Sequence, residues 1–518
     1  MELPHEERSA QQIALNNPII LTEILKKTSA PLLTCRLVSH FWNEVVLSLP
    51  NTRLSLNLHH KDERFPNDPV PFLALCFKME DRLAKRINAT CSARSLNHNV
   101  FNNSFSAKLI HVCDKFGDLV GVLDISILFE VCLPAIYQIL QNCCPNLKRL
   151  RISGTFTKSN TSGKQETLQR FPPKEKLTIF TLTSKLVTPF LTLFVEEVVK
   201  VSPNLQEVTI PWGFYPNFAN SKSLSSLIIA LHNVRPLDIA RANDQLSNLS
   251  RILGQVGDQL VTLSFGCDDD KFNMESAEFD FFNNSAFYLP RRMSKLQNFR
   301  NDIVDILECS DYLQNATSLK TLVIGKAFTW SKRLDEILKN IFDTKKIFGN
   351  VTSLMIREIH DPAFLDELMT AFPNVEKFDL DTYQRTDWRG GVSGMELGVV
   401  LKACVGWKAL KHFDIAVPTF PKEIEDVIQT LLDAKELYKG LKTFEIMAHR
   451  EIVRARLFAD EMEQLKQVLV AMDAVEDKVI IDNIYFGEES VKKILNFIRS
   501  MDMNMAKFAI FRRGAYKY

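Results

Sequence analysis

Residues 144–152 read CPNLKRLRI, and the same phrase returns as SPNLQEVTI at residues 202–210 and as FPNVEKFDL at residues 372–380. In each copy the proline can end a preceding helix, and the asparagine can turn the chain into a strand. The apolar residues that follow have the spacing L-x-x-L-x-L, in which a short strand points alternate side chains into a core. This recurrence indicates that the chain is built from repeats.

The same apolar spacing extends through most of the chain when any large apolar residue is allowed at its three positions. The matching triplets are Val120/Leu123/Ile125, Leu147/Leu150/Ile152, Leu177/Phe180/Leu182, Leu205/Val208/Ile210, Leu224/Leu227/Ile229, Leu260/Leu263/Phe265, Leu319/Leu322/Ile324, Val351/Leu354/Ile356, Val375/Phe378/Leu380, Leu410/Phe413/Ile415, Leu441/Phe444/Ile446, Ile481/Ile484/Phe486 and Met505/Phe508/Ile510. Between several of them the sequence has helical periodicity. These helical segments are residues 334–342, 364–372, 424–432, 462–472 and 491–501.

The alternation of strands and helices resembles a leucine-rich repeat array. It predicts an α/β fold: a right-handed solenoid with parallel strands on the concave side and helices on the convex side. We assign the repeats to residues 106–518, with an insertion at residues 266–300, where an acidic and aromatic stretch interrupts the spacing. The alternative is one doubly wound α/β domain, but its sheet would need about a dozen strands and its nucleotide loop is missing.

The chain before the repeats has a different pattern. After a polar tail (residues 1–13), residues 14–58 contain three short apolar segments that predict packed helices, with Pro18 suited to a helix start. More apolar residues crowd this stretch than it can bury by itself, so we expect a hydrophobic partner surface. Residues 59–105 form a less regular connecting segment.

The pattern Pro18-x-x-Leu21-x-x-Ile24-Leu25, followed by PLLTCRLVSHFWNEV from residue 31, resembles the F-box family. Asn17 departs from the family pattern, in which a leucine usually precedes the proline. The resemblance implies a three-helix F-box that docks onto the Skp adaptor, which links such receptors to a cullin-RING ubiquitin ligase. It implies adaptor binding by Pro18, Leu21, Ile24, Leu25, Leu32, Leu33, Cys35, Arg36, Val38, Ser39 and Trp42. The alternative is a helical cap that only shields the end of the array.

Side chains on the outer face of the strands and in the loops after them are candidates for binding a target protein. Trp, Tyr and Arg are the residues most often found as binding hot spots. On this basis the candidate residues are Trp212, Tyr215, Trp330, Tyr383, Arg385, Trp388 and Arg389. We prefer the cluster TYQRTDWRGG at residues 382–391, with the alternative that Trp388 packs on a neighbouring repeat.

Composition and motifs disfavour other classes of protein. Lys and Arg number 63 against 62 Asp and Glu, so no net charge attracts the chain to nucleic acid or an anionic membrane. The start of the sequence is not that of a signal peptide, and the apolar stretch at residues 186–201 is too charged to span a bilayer. The scattered cysteines suit reduced thiols in cytoplasm or nucleus. Because no phosphate-binding loop, HExxH or nucleophile elbow is present, we expect no catalysis, cofactor or metal.

An F-box followed by leucine-rich repeats is a known receptor arrangement. The resemblance therefore implies a non-catalytic substrate-recognition subunit of an SCF-type ubiquitin ligase, in which the repeats bind a target protein for ubiquitination. The alternative is a repeat scaffold that binds proteins without attachment to a ligase.

Overall fold

The computed structural model describes most of the 518-residue chain. The described residues are 10–27, 31–49, 55–60, 76, 78–79, 81–91, 98–157, 170–184, 186–231, 243–266, 287–290, 293–304, 307–308, 312–313, 316–325, 334–343, 345–357, 359–382, 394–454 and 456–510. They belong to two units, Met1–Leu224 and Ser225–Tyr518.

The first unit begins with short helices and continues as parallel strands separated by helices. Its helices are α1 (Ala10–Leu15), α2 (Pro18–Lys27), α3 (Leu32–Cys35), α4 (His40–Ser48), α5 (His98–Phe116), α6 (Leu133–Asn142) and α7 (Pro189–Val201). Its strands are β1 (Leu56–His60), β2 (Arg86–Cys91), β3 (Val122–Phe129), β4 (Arg149–Thr157), β5 (Ile179–Ser184) and β6 (Glu207–Pro211). Each strand pairs in parallel with the next strand along the chain.

The second unit repeats the same alternation. Its helices are α8 (Asn243–Val256), α9 (Leu334–Phe342), α10 (Ala363–Ala371), α11 (Leu397–Cys404), α12 (Ile424–Asp433), α13 (Lys435–Tyr438), α14 (Ala459–Met472) and α15 (Glu488–Ser500). Its strands are β7 (Ser226–Ala230), β8 (Thr262–Gly266), β9 (Phe287–Tyr288), β10 (Asn298–Asn301), β11 (Leu307–Glu308), β12 (Thr321–Ile324), β13 (Ser353–Arg357), β14 (Lys377–Asp381), β15 (His412–Val417), β16 (Thr443–Arg454), β17 (Lys478–Phe486) and β18 (Phe508–Ile510). β9 and β11 form a separate small sheet, and the other strands pair in parallel in chain order.

The predicted triplets form the core. On β13 to β16, the residues Leu354, Phe378, Phe413 and Phe444 lie at one register and are all buried. The ring centroids of Phe378 and Phe413 are 6.2 Å apart, and those of Phe413 and Phe444 are 5.9 Å apart. Burying one such side chain contributes roughly 1.5–3 kcal/mol. The repeat spacing therefore builds a continuous stack of apolar side chains within this unit.

The asparagine of the recurring phrase joins neighbouring repeats. The side-chain amide of Asn146 donates to the carbonyl oxygen of Asp118 at 2.7 Å, and the amide of Asn204 donates to that of Glu175 at 2.8 Å. In the second unit, Asn374 donates in the same way to Gly349 O at 2.8 Å. Each bond satisfies a carbonyl of the preceding turn, and a bond of this kind contributes about 1 kcal/mol. The phrase therefore fixes the spacing of repeats as well as the turn.

Helix α7 accounts for most of the apolar stretch at residues 186–201. Thr188 caps α7 by accepting a hydrogen bond from Leu191 N at 3.2 Å, and Pro189 occupies the first turn, where its missing N–H has no cost. One face of α7 is buried, including Phe194 and Val198. Among the described helices, none is both long enough and apolar enough to cross a membrane.

The parallel strands and intervening helices confirm the predicted α/β repeat fold, which is the organisation of a leucine-rich repeat array. The helices predicted at residues 334–342 and 424–432 coincide with α9 and α12 within one residue. The sheet, however, begins earlier than expected. β1 and β2 lie within residues that we assigned to the F-box and the connecting segment.

Two further differences concern strand positions. β10 lies at the end of the predicted insertion and pairs with both β8 and β12. At β17 the predicted triplet Ile481/Ile484/Phe486 has the wrong register, because Phe444 pairs with Val479 and Ile446 pairs with Ile481. The equivalent repeat position starts five residues earlier, at Glu476. The last triplet, which ends in Phe508 and Ile510, has the predicted register.

Candidate partner-binding surfaces

The strands of the second unit present one face away from the buried core. In β13 to β17, alternate residues form rows that cross the strands in register, and we name these rows the second-unit strand face. The first row is Ser353, Lys377, His412, Thr443 and Lys478. The second row is Met355, Asp379, Asp414, Glu445 and Ile480. The third row is Arg357, Asp381, Ala416, Met447 and Asp482.

The middle row concentrates negative charge. Asp379, Asp414 and Glu445 are directly opposite one another on strands that lie about 4.8 Å apart. Burial and, second, the charge of Asp414 raise the pKa of Asp379 to about 7. Lys478, in the first row on β17, lies with its Nζ 3.1 Å from Glu445 Oε1. Like charges in register destabilise a sheet, so this row costs stability.

The bulge in β16 brings another ionisable group over this face. The register between β16 and β17 shifts between Met447 and Ile452. His449 Nε2 consequently lies 3.6 Å from Asp381 Oδ1 on β14, although β15 lies between the two strands. The β15 residue in register with Asp381 is Ala416, whose small side chain leaves room for this contact. His449 itself lies within β16.

Strand β10 adds a buried ion pair. Arg300 Nη2 lies 2.7 Å from Asp302 Oδ2, and both side chains are largely buried. A Cβ atom on Gly266, at the end of β8, would lie 2.4 Å from Arg300 Nε and 2.6 Å from Asp302 Oδ2. A larger residue at position 266 would therefore force the Arg300 and Asp302 side chains to move away from β8. Both residues lie in or just after the predicted insertion, so the repeat spacing did not indicate them.

The strand face of the first unit is polar and mixed in charge. Its central row, in register across β1 to β6, is Asn57, Asn88, Asp124, Arg151, Thr181 and Thr209. Asn88 Nδ2 donates to Asn57 Oδ1 at 3.0 Å, and Arg86 Nη2 lies 2.6 Å from Asp124 Oδ2. Cationic and anionic side chains pair across the strands of this face, and the asparagines and threonines of its central row are neutral. The face therefore has no single sign of charge.

The N-terminal helices form a small core of their own. The buried residues of this core are Leu21, Leu25, Leu32, Val45, Val46, Leu47 and Leu49, with Cys35, Phe41 and Trp42 packed against them. Asn17, the departure from the F-box pattern, accepts hydrogen bonds at Oδ1 from Ile19 N (2.9 Å) and Ile20 N (3.3 Å). It therefore caps α2, a role that a leucine could not fill. Ser39 caps α4 in the same way by accepting from Trp42 N at 3.2 Å.

Large apolar side chains remain exposed on this cluster. We name them the N-terminal apolar surface: Ile13, Ile19, Ile20, Ile24, Leu37 and Val38. Leu37 is 85% exposed, Ile19 is 75% exposed and Val38 is 60% exposed. Scattered apolar residues are normal on a protein surface, but a group within one short helical segment marks a surface suited to a partner.

The N-terminal helices are tied to the first repeats of the same unit. Arg82 donates to both carboxylate oxygens of Glu44 on α4, at 2.9 and 3.1 Å. Lys85 Nζ donates to the carbonyl oxygens of Leu47 and Leu49, at 3.0 and 3.2 Å, where α4 ends. Charged donors at a helix C-terminus satisfy its free carbonyls and its dipole. These contacts orient α4 relative to β2.

The structure divides the predicted adaptor-binding residues into two groups. Leu21, Leu25 and Leu32 are buried in the cluster's own core. Pro18, Ile24, Val38 and Ser39 are exposed. Arg36 Nε donates to Asn43 Oδ1 at 2.8 Å. The Leu33 side chain lies outside the described residues.

Two of the predicted target-binding residues are not at the surface. Trp212 and Tyr215 are buried in the turn after β6, with their rings edge to face and the centroids 6.2 Å apart. Their size and apolar character place them in the core, so we correct that assignment. Trp330, Tyr383, Arg385, Trp388 and Arg389 lie outside the described residues. Within the described part of the chain, no group of three or more His, Cys, Asp or Glu residues is arranged to hold a metal ion.

No family model and no curated protein matches this sequence. Among solved structures, the chain is similar to the crystal structure of a TLR13–ssRNA13 complex, with 10% sequence identity and a TM-score of 0.31. The similarity covers 90% of this chain, which spans 65% of that one. The fold assignment therefore rests on the strand pairing and on the buried repeat positions.

Proposed function

We propose that this protein is a non-catalytic substrate-recognition subunit of an SCF-type ubiquitin ligase. In this proposal the N-terminal helices bind the Skp adaptor, and the repeats bind a target protein in the cytoplasm or nucleus. The observation that carries the proposal is the N-terminal apolar surface, whose residues except Ile13 lie on the segment that resembles an F-box.

The energetics favour a protein partner for this surface. Fully burying one leucine or valine side chain contributes roughly 1.5–3 kcal/mol, and Leu37 and Val38 lie side by side after α3. Leu21, Leu25 and Leu32 are buried in the core of the same helices, while Ile24 and Val38 are exposed and available for contact. The contacts of Arg82 and Lys85 would hold a bound adaptor in a fixed orientation relative to the first repeats.

The strand faces suit a target protein better than a small substrate. They are open rows of mixed polar residues, and a repeat array offers an extended surface for binding. A receptor of this kind acts by raising the local concentration of the target near the ubiquitin-conjugating enzyme. The proposal therefore needs no catalytic residue, cofactor, nucleic acid or membrane.

The test is binding of the purified full chain to the Skp adaptor. We expect Leu37→Asp combined with Val38→Asp to weaken binding by at least about 100-fold, because two carboxylates would have to be buried in an apolar contact. The matched control is Ile347→Asp, which changes an apolar residue of 63% exposure in the second unit. Circular dichroism of each variant checks the fold.

Intact wild-type protein that does not bind the adaptor would overturn the ligase assignment and leave a repeat scaffold. Equal loss of binding in the Ile347→Asp control would overturn the assignment of the surface.

A further inference from the structure

Three cysteine side chains meet in the first unit, where helix α5 ends. Cys113 lies in the last turn of α5, and Cys143 and Cys144 form the turn that follows α6 and opens the first copy of the recurring phrase. All three side chains are buried, and none of them forms a disulfide. They belong neither to the N-terminal apolar surface nor to a strand face, so the proposed function gives these thiols no role.

The thiols of Cys113 and Cys144 are hydrogen-bonded to each other. The backbone brings the two elements together at this point: a Cβ atom on Gly117, just after α5, would lie 3.0 Å from Cys144 N and 3.4 Å from Cys143 Cβ. A side chain at position 117 would therefore push the turn away from α5. Thiols that are already in contact need only small side-chain rotations to reach the S–S bond length of about 2.05 Å.

Cys144 has a backbone conformation that its counterparts do not share. Its φ is 55°, in the left-handed region, whereas Ser202 and Phe372, at the same position in the other two copies of the phrase, have φ of −118° and −126°. This region is uncommon for a cysteine because the Cβ atom crowds the backbone, and such residues cluster at functional positions. The contact with Cys113 thus accompanies a local departure from the repeat.

A buried lysine lies beside the pair. The ammonium of Lys174 donates to the carbonyl oxygens of Cys143 at 2.9 Å and Cys144 at 3.4 Å. Its side chain is almost fully buried, so water screens its charge poorly. A positive charge near a thiol favours the thiolate, which is the form that reacts with oxidants.

These contacts make the thiols unequal. The hydrogen bond to Cys113 lowers the pKa of the Cys144 thiol, against the effect of burial, and the Lys174 ammonium lowers it further. The same hydrogen bond, together with burial, raises the pKa of Cys113. Burial raises the pKa of Cys143 to about 11, so it is the poorer nucleophile of the turn. Cys144 is thus favoured as the thiolate and Cys113 as its proton donor, a division that suits disulfide formation.

We propose that Cys113 and Cys144 are a reversible oxidation site, at which a hydroperoxide converts the two thiols into a disulfide. The Cys144 thiolate attacks one oxygen of hydrogen peroxide, the O–O bond breaks, and the leaving hydroxide takes up the proton that Cys144 released. The Cys113 sulfur then displaces the hydroxyl group of the resulting sulfenic acid, which leaves as water with the Cys113 proton. The two thiols lose two electrons and two protons, and one hydrogen peroxide becomes two water molecules.

Burial limits which oxidant reaches the pair. Hydrogen peroxide is neutral and close to water in size, so a brief local opening of the turn admits it, whereas a bulky oxidant needs a larger opening. The disulfide would join α5 to the turn before β4. The proposal depends on neither the Skp adaptor nor a target protein.

The experiment treats the intact chain with hydrogen peroxide, blocks the remaining thiols after denaturation and identifies linked peptides by mass spectrometry. We expect a Cys113–Cys144 link as the first disulfide, and dithiothreitol should reverse it. Cys91 and Cys132 are the comparison within the same molecule, since they are also buried and hydrogen-bonded, but their hydrogen bond and burial raise the pKa of Cys132. We expect their link to form at least about tenfold more slowly.

The variants assign the site. Cys113→Ala and Cys144→Ala should each abolish the link, whereas the matched control Cys143→Ala, which removes a thiol from the same turn, should retain it. Lys174→Met is expected to slow this link at least about threefold without slowing the Cys91–Cys132 link. A variant that only loosened the fold would accelerate both links, so the ratio of the two rates separates charge from packing.

Three results would overturn the proposal: no Cys113–Cys144 link in the folded wild-type chain, a Cys91–Cys132 link that forms first, or a link that contains Cys143 in place of Cys144. An unchanged ratio of the two rates in Lys174→Met would overturn the role of Lys174. Circular dichroism of each variant checks the fold.

Discussion

Asp379 shows what a single residue contributes to the second-unit strand face. It lies in register between Met355 and Asp414, and its carboxyl is more buried than a solvated acid would be. A pKa of about 7 means that the native protein holds a proton there that the unfolded chain, with an aspartate pKa of ~3.9, has released. The native state therefore binds more protons than the unfolded state between about pH 4 and 7. The contribution of Asp379 to the free energy of unfolding consequently falls as pH rises through that window.

We predict that Asp379→Asn raises the free energy of unfolding more at pH 8 than at pH 5. The expected difference is about 1 kcal/mol, well below the full shift, because the side chain is only partly buried. Urea denaturation at the two pH values measures it. The control is Asp426→Asn on the exposed face of α12. An Asp379→Asn gain that is the same at both pH values would contradict the prediction.

At the same scale, residue chemistry could be predicted from the sequence better than residue position could. The alternation of polar and apolar residues along β14 correctly predicted that Asp379 faces outward and that Phe378 faces the core. Trp212 and Tyr215 were wrongly assigned to the surface, because position after a strand does not reveal whether a turn folds back over the core. Asn17 read as a departure from a family pattern, whereas its role as a helix cap becomes evident only from the hydrogen bonds.

Strand β16 is the element that departs most from the regular repeat. It has 12 residues, and a bulge separates its two paired segments. Opposite the bulge, Asn483 adopts a left-handed backbone with φ of 67°, and its side-chain amide donates to Ala448 O at 2.6 Å. Tyr485 OH donates to Asn483 Oδ1 at 2.9 Å. One asparagine thus accommodates the register shift, because Asn tolerates this conformation better than most residues.

We predict that Asn483→Ala destabilises the protein by about 1 kcal/mol more than Asn483→Gly. Both changes remove the side-chain hydrogen bonds, but only alanine must place a Cβ atom in the left-handed conformation. The glycine variant is therefore the control that separates backbone strain from lost bonds. Chemical denaturation measures both, and an alanine variant as stable as the glycine variant would contradict this explanation of the bulge.

The strands that the sequence analysis missed share a physical cause. At β2 the repeat positions are Ala84, Ile87 and Ala89, which are all buried, but the two alanines are too small to match a pattern of large apolar residues. At β10 the third position is Asn301, a buried polar residue whose Oδ1 accepts from Ile303 N at 3.2 Å. In both strands the backbone keeps the repeat while the side chains depart from it. The apolar spacing therefore predicted the regular strands and missed those at which small or polar residues occupy the repeat positions.

At the scale of the whole molecule, the proposed activities occupy separate surfaces. The N-terminal apolar surface belongs to the first unit, whereas the acidic strand row belongs to the second. This separation favours a protein that joins partners. The sequence predicted the repeat fold and the presence of N-terminal helices, because apolar periodicity reports burial directly. The partners of each surface could be predicted only from resemblance, since recognition depends on exposed residues that periodicity does not constrain.

The pairing of β1 with β2 also affects how adaptor binding by the N-terminal helices should be tested. Deleting residues 1–58 would remove part of β1, whose residues 56–60 pair with β2. Loss of binding in such a truncated chain could then arise from damage to the sheet. A measurement on the intact chain avoids this problem.

The most direct measurement is amide hydrogen exchange of the intact chain with and without the Skp adaptor. We predict that the adaptor slows exchange in α1 to α4, residues 10–48, and leaves exchange in β13 to β17 unchanged, because only the N-terminal apolar surface should be covered. Exchange that is unchanged in α1 to α4 at saturating adaptor, or protection confined to the repeats, would contradict the proposal that this protein is a ligase receptor.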